Sequence, residues 1–141
     1  MSALNLVYPM FAMVLLTATV LMVLFRRRAR AVRDGTVTSR YFRVYQGESE
    51  PESSAAAARH FANLFEAPVL FYAACLAAMV AAIGDVATLI LAWLYVLARV
   101  IHAGVHLGDN RLRRRIAAYA LSWLILLALW ISIVIAVAQK S

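Results

Sequence analysis

Long apolar runs dominate the chain, and charge enters them only at particular places. Residues 4–25 carry no charged side chain and are long enough, as a helix, to cross about 30 Å of hydrocarbon. Residues 86–107 and 116–138 have the same reach. Residues 57–83 form a fourth run, with Arg59, His60 and Glu66 at its start. The pattern predicts an all-α bundle of four membrane spans, one domain over residues 1–141 with no room for a soluble module. Pro68 predicts a kink in span two, because proline removes a backbone donor and its ring crowds the preceding turn. Gly84-Asp85 predicts a short turn that makes spans two and three an antiparallel hairpin. Ser54 is placed to cap a helix that begins at Ala55. Asp34-Gly35 marks another turn, and residues 36–54 form the extended polar connection, with Glu48, Glu50 and Glu52 around Pro51. Tyr41, Phe42 and Tyr45 in that connection suit the headgroup level or the cover of a site.

Two polar stripes run through this apolar pattern. Arg59, Asn63 and Glu66, at i, i+4 and i+7, share one helix face. Arg99, His102 and His106 share another, with Tyr95 before them and Asp109 after. A charge near the bilayer centre costs at least about 2.5–3.5 kcal/mol, so such groups face a bundle interior and pair, bind or react. The stripes predict a polar, ligand-sized recess inside the bundle. Gly104 and Gly108 have the GxxxG spacing that permits close helix approach.

Composition adds direction to this picture. Hydrophobic residues make up 65% of the chain, against about half in a soluble domain. The net charge of +7 suggests nucleic acid until its placement is read. The bases fall between spans one and two (Arg26 to Arg43) and between spans three and four (Arg111 to Arg115), while the joint between spans two and three has none. That is the positive-inside pattern, with both basic loops cytoplasmic and both termini outside. It explains the charge by topology and contact with anionic lipid, and it excludes a nucleic-acid binder. A signal peptide carries its positive charge before the apolar run; here the arginines follow it, so the first span is expected to be retained. Cys75, the only cysteine, excludes an internal disulfide and reads as a small packed hydrophobe. Thirteen arginines against one lysine point to a GC-rich bacterium, and hence to a multi-pass protein of the bacterial inner membrane.

The stripes offer specific chemistry. Arg59, Asn63 and Glu66 present a cation, an amide and a carboxylate, which suits a zwitterionic ligand; the competing reading is internal pairing across the bundle. His102 and His106 have metal-ligand spacing, but Arg99 one turn away opposes a bound cation, so no metal is expected. Arg99 and Glu66 form the natural ion pair between spans two and three, and breaking such a buried pair costs about 3–5 kcal/mol. Arg115 and Tyr119 are i, i+4 neighbours at the start of span four. Arginine binds carboxylates bidentately and favours a nearby thiolate. Both properties fit glutathione, with its two carboxylates, one ammonium and one thiol.

The segment from Arg59 to Glu66 resembles the R-x-x-x-N-x-x-E signature of the MAPEG family, the membrane-associated proteins in eicosanoid and glutathione metabolism. Ala98-Arg99-Val100-Ile101-His102 resembles that family's third-helix motif, and Arg115-x-x-x-Tyr119 its fourth-helix start. The resemblance covers spans two to four well and span one only in general character. It implies a left-handed four-helix bundle that forms a homotrimer, with glutathione bound between subunits toward the cytoplasmic side. It implies that Arg59, Asn63 and Glu66 line the site, with Glu66 taking the ligand's amino group, and that Arg99, His102 and His106 approach from helix three. Arg115 would stabilise the thiolate beside Tyr119, with Arg113 its rival. Arg26, at the end of span one, would take a carboxylate. Ile116 stands where the prostaglandin E synthase branch has serine, His106 where many members have tyrosine, and Ala62 where a base often precedes the asparagine. These departures count against eicosanoid chemistry.

The expected function is that of a protein of glutathione transferase or peroxidase type, with glutathione as co-substrate, conjugating or reducing an apolar electrophile that arrives from membrane lipid. The alternative is a non-enzymatic bundle that binds a lipid or a partner protein. A small transporter is disfavoured, because no second half-repeat is present.

Overall fold

The computed structural model describes residues 2–47 and 49–140; Glu48 lies outside the described residues. A short 3-10 turn, Ala3–Leu6, leads into α1 (Val7–Arg33). There follow α2 (Tyr41–Val44), α3 (Glu52–Asn63), α4 (Ala67–Val80), α5 (Val86–Leu107) and α6 (Leu112–Ala138), and the described residues contain no strand. Four stretches are long and apolar enough to cross a membrane: Ala3–Arg33, Glu52–Val80, Val86–Leu107 and Leu112–Ala138. The fold is an all-α four-helix membrane bundle.

The heptad and near-heptad stripes explain how these helices meet. Leu6, Met13 and Val20 recur every seven residues and bring one edge of the first span into the core. Leu126, Leu129 and Ile133 do the same for α6. Between them, α4 contributes Phe71 and the small residues Ala74, Cys75 and Ala78, while α5 contributes Ala92, Tyr95 and Val96. Small side chains let the backbones approach closely where lipid supplies no hydrophobic drive for helix association. Cys75 is fully buried and free. Leu15, Phe11, Leu124 and Val134 remain exposed on the outer faces. In water such a surface would aggregate; in a bilayer it is the solvated one.

Span two differs from its expected form. It is not one kinked helix over 57–83 but two helices separated at residues 64–66. Pro68 cannot donate to the carbonyl four residues back, and its ring crowds that carbonyl. The end of α3 therefore tightens: Phe65 N donates to Ala62 O (2.9 Å) and Glu66 N to Asn63 O (3.3 Å). Glu66 adopts φ −99°, ψ −98°, and the chain restarts as α4 with Pro68 in its first turn, where a missing N–H costs nothing. The start also differs. Ser54 is not the cap; α3 begins at Glu52 after Pro51, and the buried Ser54 hydroxyl donates to Glu50 Oε1 at 2.5 Å. Glu50 also pairs with Arg28 (3.0 Å), whose guanidinium lies over the rings of Phe42 and Tyr45. The polar connection is thereby folded back onto α1.

Hydrogen bonds at the two ends show which termini lie together. At one end Arg27 Nη1 donates to Ser53 O and Nη2 to Leu107 O, both at 2.7 Å, tying α1, α3 and α5. At the other, Lys140 Nζ donates to Ala81 O (2.8 Å) and Ala82 O (3.0 Å). The chain thus runs up, down, up, down, with every basic connection at the Arg27 end. The turn between α4 and α5 spans residues 81–85 rather than Gly84-Asp85 alone, and Ala82 carries it through the left-handed region (φ 52°). The glycine pair does not bring two helices of this chain together. A Cβ on Gly104 would meet nothing within 4 Å, and one on Gly108 would meet Gly104 O of the same helix at 2.7 Å.

Asp85 caps α5. Its Oδ1 accepts from Thr88 N (2.8 Å) and its Oδ2 from the Thr88 hydroxyl (2.7 Å). These bonds, the Thr88 backbone N–H foremost, hold its carboxyl below the usual aspartate range. Asp85→Ala is expected to cost about 1 kcal/mol. The sign with pH follows from the lowered folded value: the cap's contribution is complete above the unfolded pKa of about 3.9 and disappears as pH falls through the folded value. Thermal midpoints in mild detergent should separate wild type and Asp85→Ala by a constant gap from neutral pH to about 5, closing under stronger acid; a gap independent of acid would remove the cap from the account. Topology is tested by Ser39→Cys and Ala82→Cys, which should react with an impermeant thiol reagent from opposite sides of the membrane. Reaction of both from one side would overturn the arrangement.

Candidate functional site

The break in span two opens a cavity of about 470 Å³ against α5 and α6. Its wall includes Arg59, Asn63 and Glu66 from the first half of span two, His102 and His106 from α5, and Arg115 and Tyr119 from α6. Both polar stripes meet there. Helix geometry separates Arg115 from its rival: two residues on a helix are about 200° apart, so Arg113 and Arg115 cannot both face the cavity. Arg115 lines it, with Nη1 donating to Asn110 Oδ1 (3.1 Å), and Arg113 is exposed outside. At the end of α1, Arg26 is likewise exposed and away from the cavity, and its neighbour Arg27 turns inward onto the two carbonyls described above.

Arg99 stands behind the wall with no solvent exposure. The expected Arg99–Glu66 ion pair is absent among the described residues. Instead Arg99 Nη2 donates to Asn63 Oδ1 at 2.6 Å, and Asn63 Nδ2 donates to Glu66 Oε2 at 2.9 Å. The amide is fitted to this position because it accepts at one atom and donates at the other. Glu66 lies in the break, so its side chain is exposed at the cavity's edge rather than stacked beneath Asn63. The Arg99 guanidinium also lies 5.9 Å from the Tyr119 ring centre, which adds a cation–π contact from α6.

His60 joins the site without belonging to either stripe. It is fully buried, and its ring centre lies 5.0 Å from those of both His102 and His106. Among the described residues neither of its nitrogens has a hydrogen-bond partner, and Nδ1 of His102 and of His106 are buried without one too. The sequence signal was weak: His60 falls one residue off the Arg59 stripe, on the face that carries Ala56, Ala57 and Leu64 into the bundle. Among the described residues no group of three or more His, Cys, Asp or Glu side chains is arranged to hold a metal ion.

A second cavity of about 390 Å³ lies toward the Arg27 end, lined by Arg27, Glu52, Ser53, Asp109 and Asn110. His106 borders both cavities. Asp109 is paired there with Arg111 (3.4 Å) and Arg114 (3.0 Å). The aromatic residues of the polar connection line neither; Phe42 lies with Phe25 and Arg28 around a separate recess on α1.

Comparison with known proteins agrees with the pattern of these residues. No curated protein and no solved structure matches the chain. The family model described as MAPEG family matches residues 6–135, which include all the cavity-lining residues named above. The chain belongs to the MAPEG family, membrane proteins associated with glutathione metabolism.

Proposed function

We propose that the protein binds glutathione in the cavity between span two, α5 and α6, and transfers its thiolate to an apolar electrophile that arrives through the bilayer. The observation that carries this reading is the charge pattern of the wall. One exposed carboxylate, Glu66, faces a space also bounded by Arg59 and Arg115. A ligand with one ammonium, two carboxylates and an ionising thiol complements that set. Glu66 receives the ammonium. Arg59 pairs with a carboxylate as a planar fork. Arg115, beside Tyr119, stabilises the thiolate, so that the nucleophile is present at neutral pH. Arg99 acts one layer back: by holding Asn63 it fixes the amide that in turn orients Glu66. The rate gain comes from thiolate formation and from holding sulfur beside a substrate confined to the membrane.

The same wall argues for a homotrimer. Arg59 and Glu66 are exposed on a single chain although they lie within a membrane-spanning stretch, and Gly104 leaves open space on α5. A neighbouring protomer packed over this face covers the charges and closes the cavity, so the site forms between subunits. The trimer is assigned to a bacterial inner membrane, a reading that the arginine-rich composition supports. Native mass spectrometry in mild detergent should show the trimer; monomer alone would count against it.

Calorimetry and thermal shift on the folded protein test the premise. Glutathione at about 10 mM should give heat and a raised midpoint, since a site with a Kd of about 1 mM would then stabilise the folded protein by about 1.4 kcal/mol. Arg115→Ala should raise the bound thiol's pKa by about one unit and slow conjugation of a model electrophile about tenfold, with little loss of affinity. Glu66→Gln should instead weaken binding by about 1.5–3 kcal/mol, the worth of a hydrogen bond to a charged group. No heat and no shift with wild type would favour a bundle that binds a lipid or a partner protein.

A further inference from the structure

The apolar run of α1 ends at Phe25, and the chain turns basic at once. Residues 26–47 hold seven arginines and one acid, Asp34. Topology accounts for the sign of this charge, but not for its arrangement around a recess. The recess, about 540 Å³, lies between α1 and the polar connection and is lined by Phe25, Arg28, Ala29, Val32, Arg33 and Phe42. Phe25, Arg28, Ala29 and Val32 follow the i, i+3, i+4, i+7 spacing of one helix face. That face points outward. Phe11, Leu15 and Met22 lie on the same side of α1 and are each more than half exposed, while the core stripe of Leu6, Met13 and Val20 lies across the helix. The recess therefore continues the lipid-facing surface of α1 beyond the end of its apolar run.

The polar connection supplies a cover that is fixed in place. Arg28 pairs with Glu50 at 3.0 Å, and its guanidinium lies 5.0 Å from the ring centre of Phe42 and 5.9 Å from that of Tyr45. Tyr41, Phe42 and Tyr45 meet edge to face, with centres 5.2–6.5 Å apart. The Arg28 charge is thus balanced within the protein. Arg33 faces outward instead. Its side chain is 77% exposed, and its ion pair with Asp34 is long (3.7 Å) and solvated, so the guanidinium stays available to a ligand.

Depth selects the ligand. Eight residues separate Phe25 from Arg33, about 12 Å along the helix axis. The hydrocarbon ends near Phe25, and the headgroup layer beyond it is about 5–8 Å thick. Helix side chains tilt toward the N-terminus. For α1 that direction is back into the bilayer, which lowers the Arg33 guanidinium to the level of the phosphates. An apolar wall at the hydrocarbon edge, with a fork of N–H donors one headgroup higher, matches a phospholipid. A free phosphate would use the arginine and leave the apolar wall in water. A zwitterionic headgroup would bring its own cation into this basic surround, so a headgroup of net negative charge is favoured.

We propose that the recess seats one anionic phospholipid per chain, with an acyl chain along Ala29 and Phe25 toward Met22, the phosphate at Arg33 and Phe42 as the cover. This seat is independent of what binds in the main cavity.

Native mass spectrometry of the folded, delipidated protein tests the seat, with phosphatidylglycerol and phosphatidylcholine of identical chains offered in equal amounts. Wild type should retain one phosphatidylglycerol per chain and about fivefold less phosphatidylcholine. Arg33→Gln should lower phosphatidylglycerol retention about fivefold, the worth of one base beside an anionic surface. Arg113→Gln removes the same charge from an exposed position on α6 outside the recess, and should retain lipid as wild type does. Ala29→Trp, at an exposed position, fills the recess and should expel both lipids with the helical fold intact by circular dichroism. Equal losses in Arg33→Gln and Arg113→Gln, or no loss in Arg33→Gln, would reduce the effect to general surface charge and overturn the seat. Displacement of the lipid by millimolar glycerol 3-phosphate would make the ligand a free phosphate. Loss of the oligomer rather than of lipid in Ala29→Trp would assign the face to a neighbouring copy of the chain. Either result also overturns the seat.

Discussion

A guanidinium with no exposure to solvent sits inside a membrane bundle, and the geometry around it follows from the need to hold it. Removing a charge from water costs several kcal/mol unless hydrogen bonds and opposite charge replace the hydration. For Arg99 the nearest replacement is the Asn63 side-chain oxygen at 2.6 Å, followed by the face of Tyr119. The Asn63 amide passes the interaction on to Glu66 at 2.9 Å. Positive and negative charge are thus linked across a neutral group instead of collapsing onto each other. Glu66 keeps an oxygen free for something else. A direct Arg99–Glu66 pair would have consumed the carboxylate and closed the recess.

That linkage depends on the break in span two. A continuous helix would carry Glu66 down the inner face and place it one turn below Asn63. Pro68 prevents this, because the carbonyl it leaves unbonded sits in the turn that precedes it. The chain spends residues 64–66 in a tight, non-helical passage and resumes as α4. Irregular backbone at membrane depth is tolerated where it borders a cavity or is buried in protein, and this passage borders the main cavity. The local defect and the site are therefore the same feature.

The rest of the bundle serves as a rigid frame. Its outer faces are apolar and suit lipid, and its ends are tied by single long side chains: Arg27 across α1, α3 and α5, and Lys140 across the α4–α5 turn. The Leu107, Ala81 and Ala82 carbonyls lie at or just past helix C-termini, where the helix dipole favours positive charge, whereas Ser53 lies in the first turn of α3. The frame leaves one internal irregularity besides the break, the three-histidine contact between α3 and α5. The two irregularities adjoin: His102 and His106 line the main cavity, and His60 lies against both.

What the sequence by itself determined is what bilayer thickness and helix period dictate. The spans are legible because about 20 apolar residues are needed to cross hydrocarbon wherever they occur. The two stripes are legible because residues three and four apart must share a face. The family signature sits on those same stripes. What only the tertiary structure decided is which members of each set meet. Asn63 rather than Glu66 touches Arg99, because the Pro68 break removes Glu66 from the helix. Arg115 rather than Arg113 faces the cavity, and Arg27 rather than Arg26 turns inward, because neighbouring positions on a helix point in different directions and only docking selects one. His60 comes up beside the site from the face that carries Ala57 and Leu64 into the bundle, because contact across α3 and α5 depends on how closely those helices pack, which no single segment encodes.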